Sequence, residues 1–347
     1  VLFAYKLSQY KKGVIMKKII TKIISFALII TLFSACGKDS VKNDTKKEDK
    51  KIIYTSFYPL QSITKEIVGD KIEVRNLIPN GQEVHHWEPT AQDIKNLSEG
   101  SAILVNGLGL ESWLDKFKAS IKDLKIVEVS KDVNLLKAED EDHDHDEHDK
   151  HDEHGEHKHE DHKHDKEEKE HNHGEYDPHI WLSIKNMKII AKNIYNQVVE
   201  MDKENEAFYK ENLEKLQVKL DDLDKKYSEQ LKNAKIKSVI TSHEAFAYLL
   251  NDYGLKQIPI ENLSSDSEPN LEKMKEVVEL AKKEGVKVVF YEELSENKVE
   301  ETIAKEIGGE VKMLYTIEGQ TEEQAKENKD YIQLMEENLK ALVEATK

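Results

Sequence analysis

The stretch Glu204–Asn233, ENEAFYKENLEKLQVKLDDLDKKYSEQLKN, carries apolar residues at helical spacing and contains neither Gly nor Pro. As one continuous helix it would reach about 45 Å, at 1.5 Å per residue. Ile184–Met201 just before it has the same periodicity. On both sides of this helical segment the pattern changes to short apolar runs alternating with amphipathic ones. The long segment therefore reads as a strut between two βα lobes. One larger doubly wound sheet is the rival arrangement.

On the amino-terminal side, strands are expected at Lys51–Phe57, Ile72–Ile78, Ser101–Asn106 and Ile126–Val129. Helices are expected at Leu60–Val68, stopped by Gly69, at Thr90–Leu97, with Thr90 and Asp93 as a loose capping pair, and at Glu111–Ser120. On the carboxyl side the strands are Ser238–Thr241, Gln257–Ile260, Val286–Tyr291 and Val311–Thr316. His243–Asp252, Asn270–Glu284, Asn297–Ile307 and one final helix from Thr321 onward lie between and after them, with Gly254, Gly285 and Gly308 as stops. The fold class expected is α/β: two lobes with roughly four mainly parallel strands each, a rigid helix between them, and a cleft. The lobes are residues 51–183 and 234–347, with 184–233 as the helical segment.

Ligands of open parallel sheets bind beyond the carboxyl ends of the strands. Outside one histidine-rich tract the chain has four histidines, and all four fall in such connections. His85 and His86 follow strand 72–78, His179 follows strand 126–129, and His243 follows strand 238–241. Glu292 comes directly after strand 286–291. A cleft between the lobes can thus collect three imidazoles and a carboxylate, a donor set suited to tetrahedral zinc and not to calcium or magnesium.

The tract itself, residues 139–175, interrupts the first lobe. It holds His143, His145, His148, His151, His154, His157, His159, His162, His164, His171 and His173 among acids and lysines, with no aliphatic or aromatic residue between Ala138 and Tyr176. Such a composition cannot bury enough apolar surface to offset ordering, so a solvated loop that binds transition metals is expected. It also dominates the charge. Lys+Arg 52 against Asp+Glu 69 gives −17 for the chain, of which the tract's 5 lysines and 18 acids supply −13. The remainder is mildly acidic and Arg75 is its one arginine, which excludes nucleic acid as a partner.

The beginning of the chain reads as an export signal over residues 16–35: Lys17, Lys18 and Lys22, then the apolar Ile23–Phe33, then Ser34-Ala35 before the lone Cys36. Residues 1–15 ahead of Met16 read as an upstream over-extension of the start. Leu32–Cys36 resembles a bacterial lipobox, with Phe33 where leucine is usual, so Cys36 is the expected lipidation site. Residues 36–50 form a polar tether.

Several motifs resemble the metal-specific solute-binding proteins of bacterial ABC transporters, in their zinc/manganese cluster. They are Ser56-Phe57-Tyr58-Pro59, Val105-Asn106-Gly107-Leu108-Gly109-Leu110-Glu111-Ser112-Trp113, and three histidine motifs: Gly81–Thr90 (GQEVHHWEPT), Asp177–Leu182 (DPHIWL) and Thr241–Tyr248 (TSHEAFAY). The resemblance runs from Lys51 to Lys347. It implies His85, His179 and His243 as metal ligands; Val84 stands where proline is usual, and His86 is an alternative to His85 because it replaces an ordinarily non-liganding polar residue. A histidine at the third position points to zinc. For the fourth ligand it implies the strand-end acids, Glu292 in first place, with Glu293 or water as alternatives. It further implies a monomer, lipid-anchored at the outer face of the cell membrane, that passes Zn2+ to an ABC permease with its ATPase. Two other functions use the same residues. One is a zinc hydrolase with Glu292 as general base, although the chain has no His-Glu-x-x-His helix. The other is a zinc-buffering surface adhesin.

Overall fold

The computed structural model describes residues 51–121, 124–138, 175–263 and 269–347. Cys36, the export signal and the histidines from His143 to His173 lie outside the described residues. Residues Lys50–Lys347 form one compact unit.

Two parallel sheets build it. The first uses β1 (Ile52–Thr55), β2 (Glu73–Asn76), β3 (Ala102–Val105) and β4 (Lys125–Glu128), in the order β2-β1-β3-β4. The second uses β5 (Ser238–Thr241), β6 (Lys256–Pro259), β7 (Val288–Tyr291) and β8 (Glu310–Met313), in the order β6-β5-β7-β8. The two halves thus repeat one topology, and the single larger sheet is ruled out. Each sheet reverses its winding between its two middle strands, the place where connections diverge and leave a crevice at the carboxyl ends.

In the first half α1 (Tyr58–Val68), α2 (Ala91–Leu97) and α3 (Leu114–Phe117) connect the strands. Thr90 and Asp93 form the full capping box at α2, each side chain bonding the other's backbone N–H. The helix expected over Glu111–Ser120 shrinks to α3 for a specific reason. The buried Glu111 carboxylate turns back to accept from Ser56 Oγ (2.7 Å), Asn106 N (2.7 Å) and Gly107 N (3.0 Å), and so holds residues 106–111 in a loop. That one side chain also joins two of the motifs noted in the sequence.

The helical segment consists of two helices, matching the two periodic stretches read in the sequence. α4 (Ile184–Met201) stops at Asp202, whose carboxylate accepts from Lys51 Nζ (3.0 Å), Asn205 Nδ2 (2.7 Å) and the Tyr209 hydroxyl. After one 3-10 turn, α5 (Glu206–Leu231) runs on for about 39 Å. Its buried face is Tyr209, Leu216, Leu220, Leu223, Tyr227 and Leu231. One part of it meets α1, where Asn212 Nδ2 donates to Ile67 O (3.0 Å). Another meets α10 (Tyr331–Ala345), where the Tyr227 hydroxyl donates to Met335 O (2.6 Å).

In the second half α6 (Ala247–Asp252), α7 (Leu271–Glu284), α8 (Lys298–Ile307) and α9 (Glu322–Glu327) complete the order before α10. Gly285 (φ 75°) and Gly308 (φ 62°) end α7 and α8 in the left-handed conformation glycine tolerates. The final helix expected from Thr321 is broken at Asn328 (φ 53°), after which Asp330 caps α10.

Side chains alternate along the strands between two cores. Ile53 and Leu104 of the first sheet share a cluster with Val239 and Phe290 of the second, and Phe57, Trp181, Tyr209, Tyr227 and Tyr331 belong to it. Tyr54, Ile103 and Val105 face a separate outer cluster, as Ile240 and Val289 do on the other sheet. A continuous apolar core therefore joins the two halves behind the crevice.

Candidate metal centre

Four side chains from four connections converge in this crevice. Among the described residues, His85, His179, His243 and Glu318 form the group able to offer one ion three imidazole nitrogens and a carboxylate oxygen. His179 Nε2 lies 3.2 Å from His85 Nε2 and 3.4 Å from His243 Nε2. Glu318 Oε1 lies 3.8 Å from His85 Nε2 and 3.7 Å from the Nε2 atoms of His179 and His243. Bonds of about 2.0–2.1 Å to a tetrahedral zinc ion put ligand atoms about 3.3–3.4 Å apart. The observed spacing is close to that, slightly open on the carboxylate side. All four side chains are at most 8 % exposed.

Hydrogen bonds behind the imidazoles fix which nitrogen faces inward. Asp177 Oδ1 accepts from both His179 N (2.8 Å) and His179 Nδ1 (2.8 Å). Glu292 Oε1 accepts from His243 Nδ1 (2.6 Å), His243 N (3.2 Å) and the Ser242 hydroxyl. With both Nδ1 atoms donating, the Nε2 atoms of His179 and His243 face inward, toward His85 Nε2 and Glu318 Oε1, a buried oxygen with no hydrogen-bond partner. Three nitrogens and one oxygen crowded in a dry pocket need a proton or a Lewis acid between them, and this donor set fits zinc. Glu83 fixes the backbone under His85, its two oxygens accepting from His85 N (2.7 Å) and His86 N (3.0 Å).

Glu292 was the fourth ligand expected, and the structure places it one layer back, behind His243. Glu293 is engaged elsewhere too, accepting from Thr316 N (3.0 Å) and Ile317 N (2.8 Å). Asn338 takes both Tyr315 N (2.8 Å) and Tyr315 O (2.8 Å), and with the two Glu293 bonds this diverts residues 315–317 from the sheet, so β8 ends at Met313 instead of Thr316. The Glu293 bonds also hold Ile317 at φ 60°, a costly conformation for a β-branched residue, and this turn presents Glu318. Trp181 Nε1 steadies the same turn by donating to Thr316 O (2.7 Å). His86 is exposed and outside the group, whereas His85 is within it. The signal for Glu318 was present in the sequence: it is the first acid after the last strand, the kind of position already used to single out the histidines.

The His243 carbonyl accepts from Thr241 Oγ1 (2.9 Å) and Gln257 Nε2 (2.8 Å), not from a helical N–H. For that reason α6 begins at Ala247 and not at His243, which leaves the imidazole on a fixed loop. Behind His179, Asn106 Nδ2 donates to Pro178 O (2.9 Å) and the Tyr248 hydroxyl donates to Asp177 O (2.8 Å). An isolated antiparallel bridge pairs Lys137, ahead of the histidine-rich tract, with Tyr176, the residue immediately before Asp177.

The charges are interdependent. Burial acts to lower His243, but the Glu292 carboxylate outweighs it and raises the imidazole to about 9. Burial likewise opposes His85, which Glu318 nevertheless holds above its ordinary value. Burial would raise Glu292, yet the His243 charge keeps it below the usual range. Burial pushes Asp177 up to about 7 and, with the Glu292 charge adding to it, Glu293 to about 8. Without a metal the site is thus a proton-holding one.

Comparison with known proteins agrees with this geometry. The family described as zinc-uptake complex component A, periplasmic (ZnuA), matches residues 53–345. The high-affinity zinc uptake system protein ZnuA of Bacillus subtilis (strain 168) is 39% identical over 319 residues, covering 91% of this chain and 94% of that protein. The zinc-binding lipoprotein AdcA of Streptococcus pneumoniae (strain R6) is 33% identical over 326 residues. That alignment covers 92% of this chain but only 60% of AdcA, so the chain spans less than two thirds of that longer relative. The crystal structure of the Zn(II)-bound ZnuA-like domain of Streptococcus pneumoniae AdcA superposes with a TM-score of 0.68 at 31% identity, covering 86% of this chain and 99% of that domain. The chain belongs to the ZnuA family of zinc-uptake complex components.

Proposed function

We propose that the protein is the extracytoplasmic zinc-binding component of an ABC transporter, taking one Zn2+ as cargo in its crevice and delivering it to a membrane permease with its ATPase. The ligands in this reading are His85, His179, His243 and Glu318. The observation that carries it is the convergence of three Nε2 atoms and the unpartnered Glu318 Oε1 on one point. A hydrolase built on the same histidines would use Glu292 as its base. Three donors already occupy Glu292 Oε1, which disfavours that role. Membership in an uptake family favours transport over an adhesin or a buffer.

The histidine-rich tract serves in this reading as a low-specificity collector. It ends just ahead of His179, so its many weak sites raise the local zinc concentration beside the crevice. Lipid on Cys36 would keep the protein beside its permease, and loss of Cys36→Ala from the membrane fraction is the expected check. Zinc titration of the full chain and of a variant lacking residues 139–174 tests the division of labour. Several weak sites should disappear and one tight site should remain. Loss of the tight site would mean that the tract supplies ligands to the ion.

A further inference from the structure

The four ligand side chains are buried, so an ion needs a way in. A cavity of about 90 Å³ abuts His243 and Glu318 on one side and reaches the exposed Ser295 and Glu296 on the other. Its volume suffices for several waters. Carboxylates make up much of its wall: besides Glu83, Glu292 and Glu318, whose places are described above, Glu261, Glu296 and Glu300 line it. Glu300 stands apart from the others. It is 3 % exposed, sits in the first turn of α8, and its Oε2 is buried without a hydrogen-bond partner. A buried carboxylate oxygen left unpaired in this way is costly, and its nearest charged neighbours include further acids. The feature that relieves such an arrangement is a cation.

We infer that this cavity is a second, weaker divalent-cation position on the access route, in which Glu300 and Glu261 hold a partly hydrated ion before it passes to the three histidines. The inference rests on the zinc-carrying reading of the crevice. Its chemistry differs from that of the final site. All-oxygen donors bind a divalent ion loosely and leave it several of its waters, whereas the imidazoles take it tightly. Water is thus shed in two stages. Glu296 at the mouth is ion-paired with Lys298, so the attraction for a cation comes from the carboxylates further in.

Rapid mixing of the full chain with zinc tests this, read by tryptophan fluorescence, since the Trp181 ring centroid lies 5.2 Å from that of His179. Glu300→Gln should slow zinc association about fivefold or more and slow chelator-driven release by a similar factor. Affinity at equilibrium should then stay within about twofold, because a station on the route alters both directions alike. Glu296→Gln, at an exposed position already paired with Lys298, should change the association rate by less than about twofold. Should Glu300→Gln fail to fold, Glu261→Gln takes its place with the same expectation. Unchanged association and release rates overturn the inference, as does a loss of affinity or thermal stability with association unaltered, which would mark Glu300 as purely structural. Failure of the unsubstituted protein to bind zinc tightly would instead defeat the transport reading itself.

Discussion

Glu318 and Glu292 stand on opposite sides of the His243 ring, one facing the ion position and the other the ring's far nitrogen, and their substitution should separate accordingly. Glu318→Ala removes a ligand atom and should weaken zinc binding by more than about 100-fold, with water taking the vacant position. Glu292→Gln keeps an acceptor for His243 Nδ1 but removes the charge behind it, an effect of about 10–100-fold for such outer partners. X-ray absorption of the two zinc-loaded variants distinguishes the roles, since only Glu318→Ala should change the ligand set. A second prediction follows from His243, raised from its ordinary 6.5 to about 9. Near neutral pH it carries a proton that zinc must displace, so titration calorimetry in buffers of different ionisation enthalpy should register release of about one proton or more. Apparent zinc affinity should rise with pH up to about 9 and fall as pH drops. The metal-free protein has the opposite dependence. The raised His243 stabilises it fully below pH 6.5, and that contribution is lost as pH climbs through about 9. At this scale the convergence of His85, His179 and His243 was legible from residue type and position at strand ends. Glu318 carried the same signal, as the first acid after the last strand, and was passed over for Glu292; what the sequence does not reveal is that Glu292 is taken up by His243 Nδ1 and Glu293 by the N–H groups of Thr316 and Ile317.

Among the elements, α5 does the joining. Its buried stripe packs within the core shared by both halves, while Val218 on its outer side is 60% exposed. Leu220, fully buried near its middle, is the residue whose truncation tests this. Leu220→Ala should cost about 2–5 kcal/mol in urea unfolding, with zinc stoichiometry retained in the folded protein. Periodicity made the long helices plain, and Ile184–Met201 was placed to the residue. Elements next to the crevice were the ones misplaced. Glu111 and the His243 carbonyl spend hydrogen bonds on loops that a helix would otherwise use, which shortens α3 and α6. Asn328 in the left-handed conformation splits the last helix for a local backbone reason that periodicity does not register.

For the molecule as a whole, two like sheets share one apolar core behind the crevice, and wide hinge opening would expose Phe57, Trp181 and Tyr331 to water. The expected course of capture and release is therefore small local movements around the loops that carry the histidines, in keeping with a stiff strut. The two-lobe architecture was readable from the repeated alternation on either side of the helices, since each half buries its own outer core. The measurement that decides most directly is the crystal structure of the zinc-loaded protein, with anomalous scattering recorded at the zinc edge. One strong peak is expected in the crevice, about 2.0–2.2 Å from the Nε2 atoms of His85, His179 and His243 and from a Glu318 oxygen, with Glu292 still accepting from His243 Nδ1. A zinc ion bound by Glu292 in place of Glu318, or no peak among the three histidines, would contradict it.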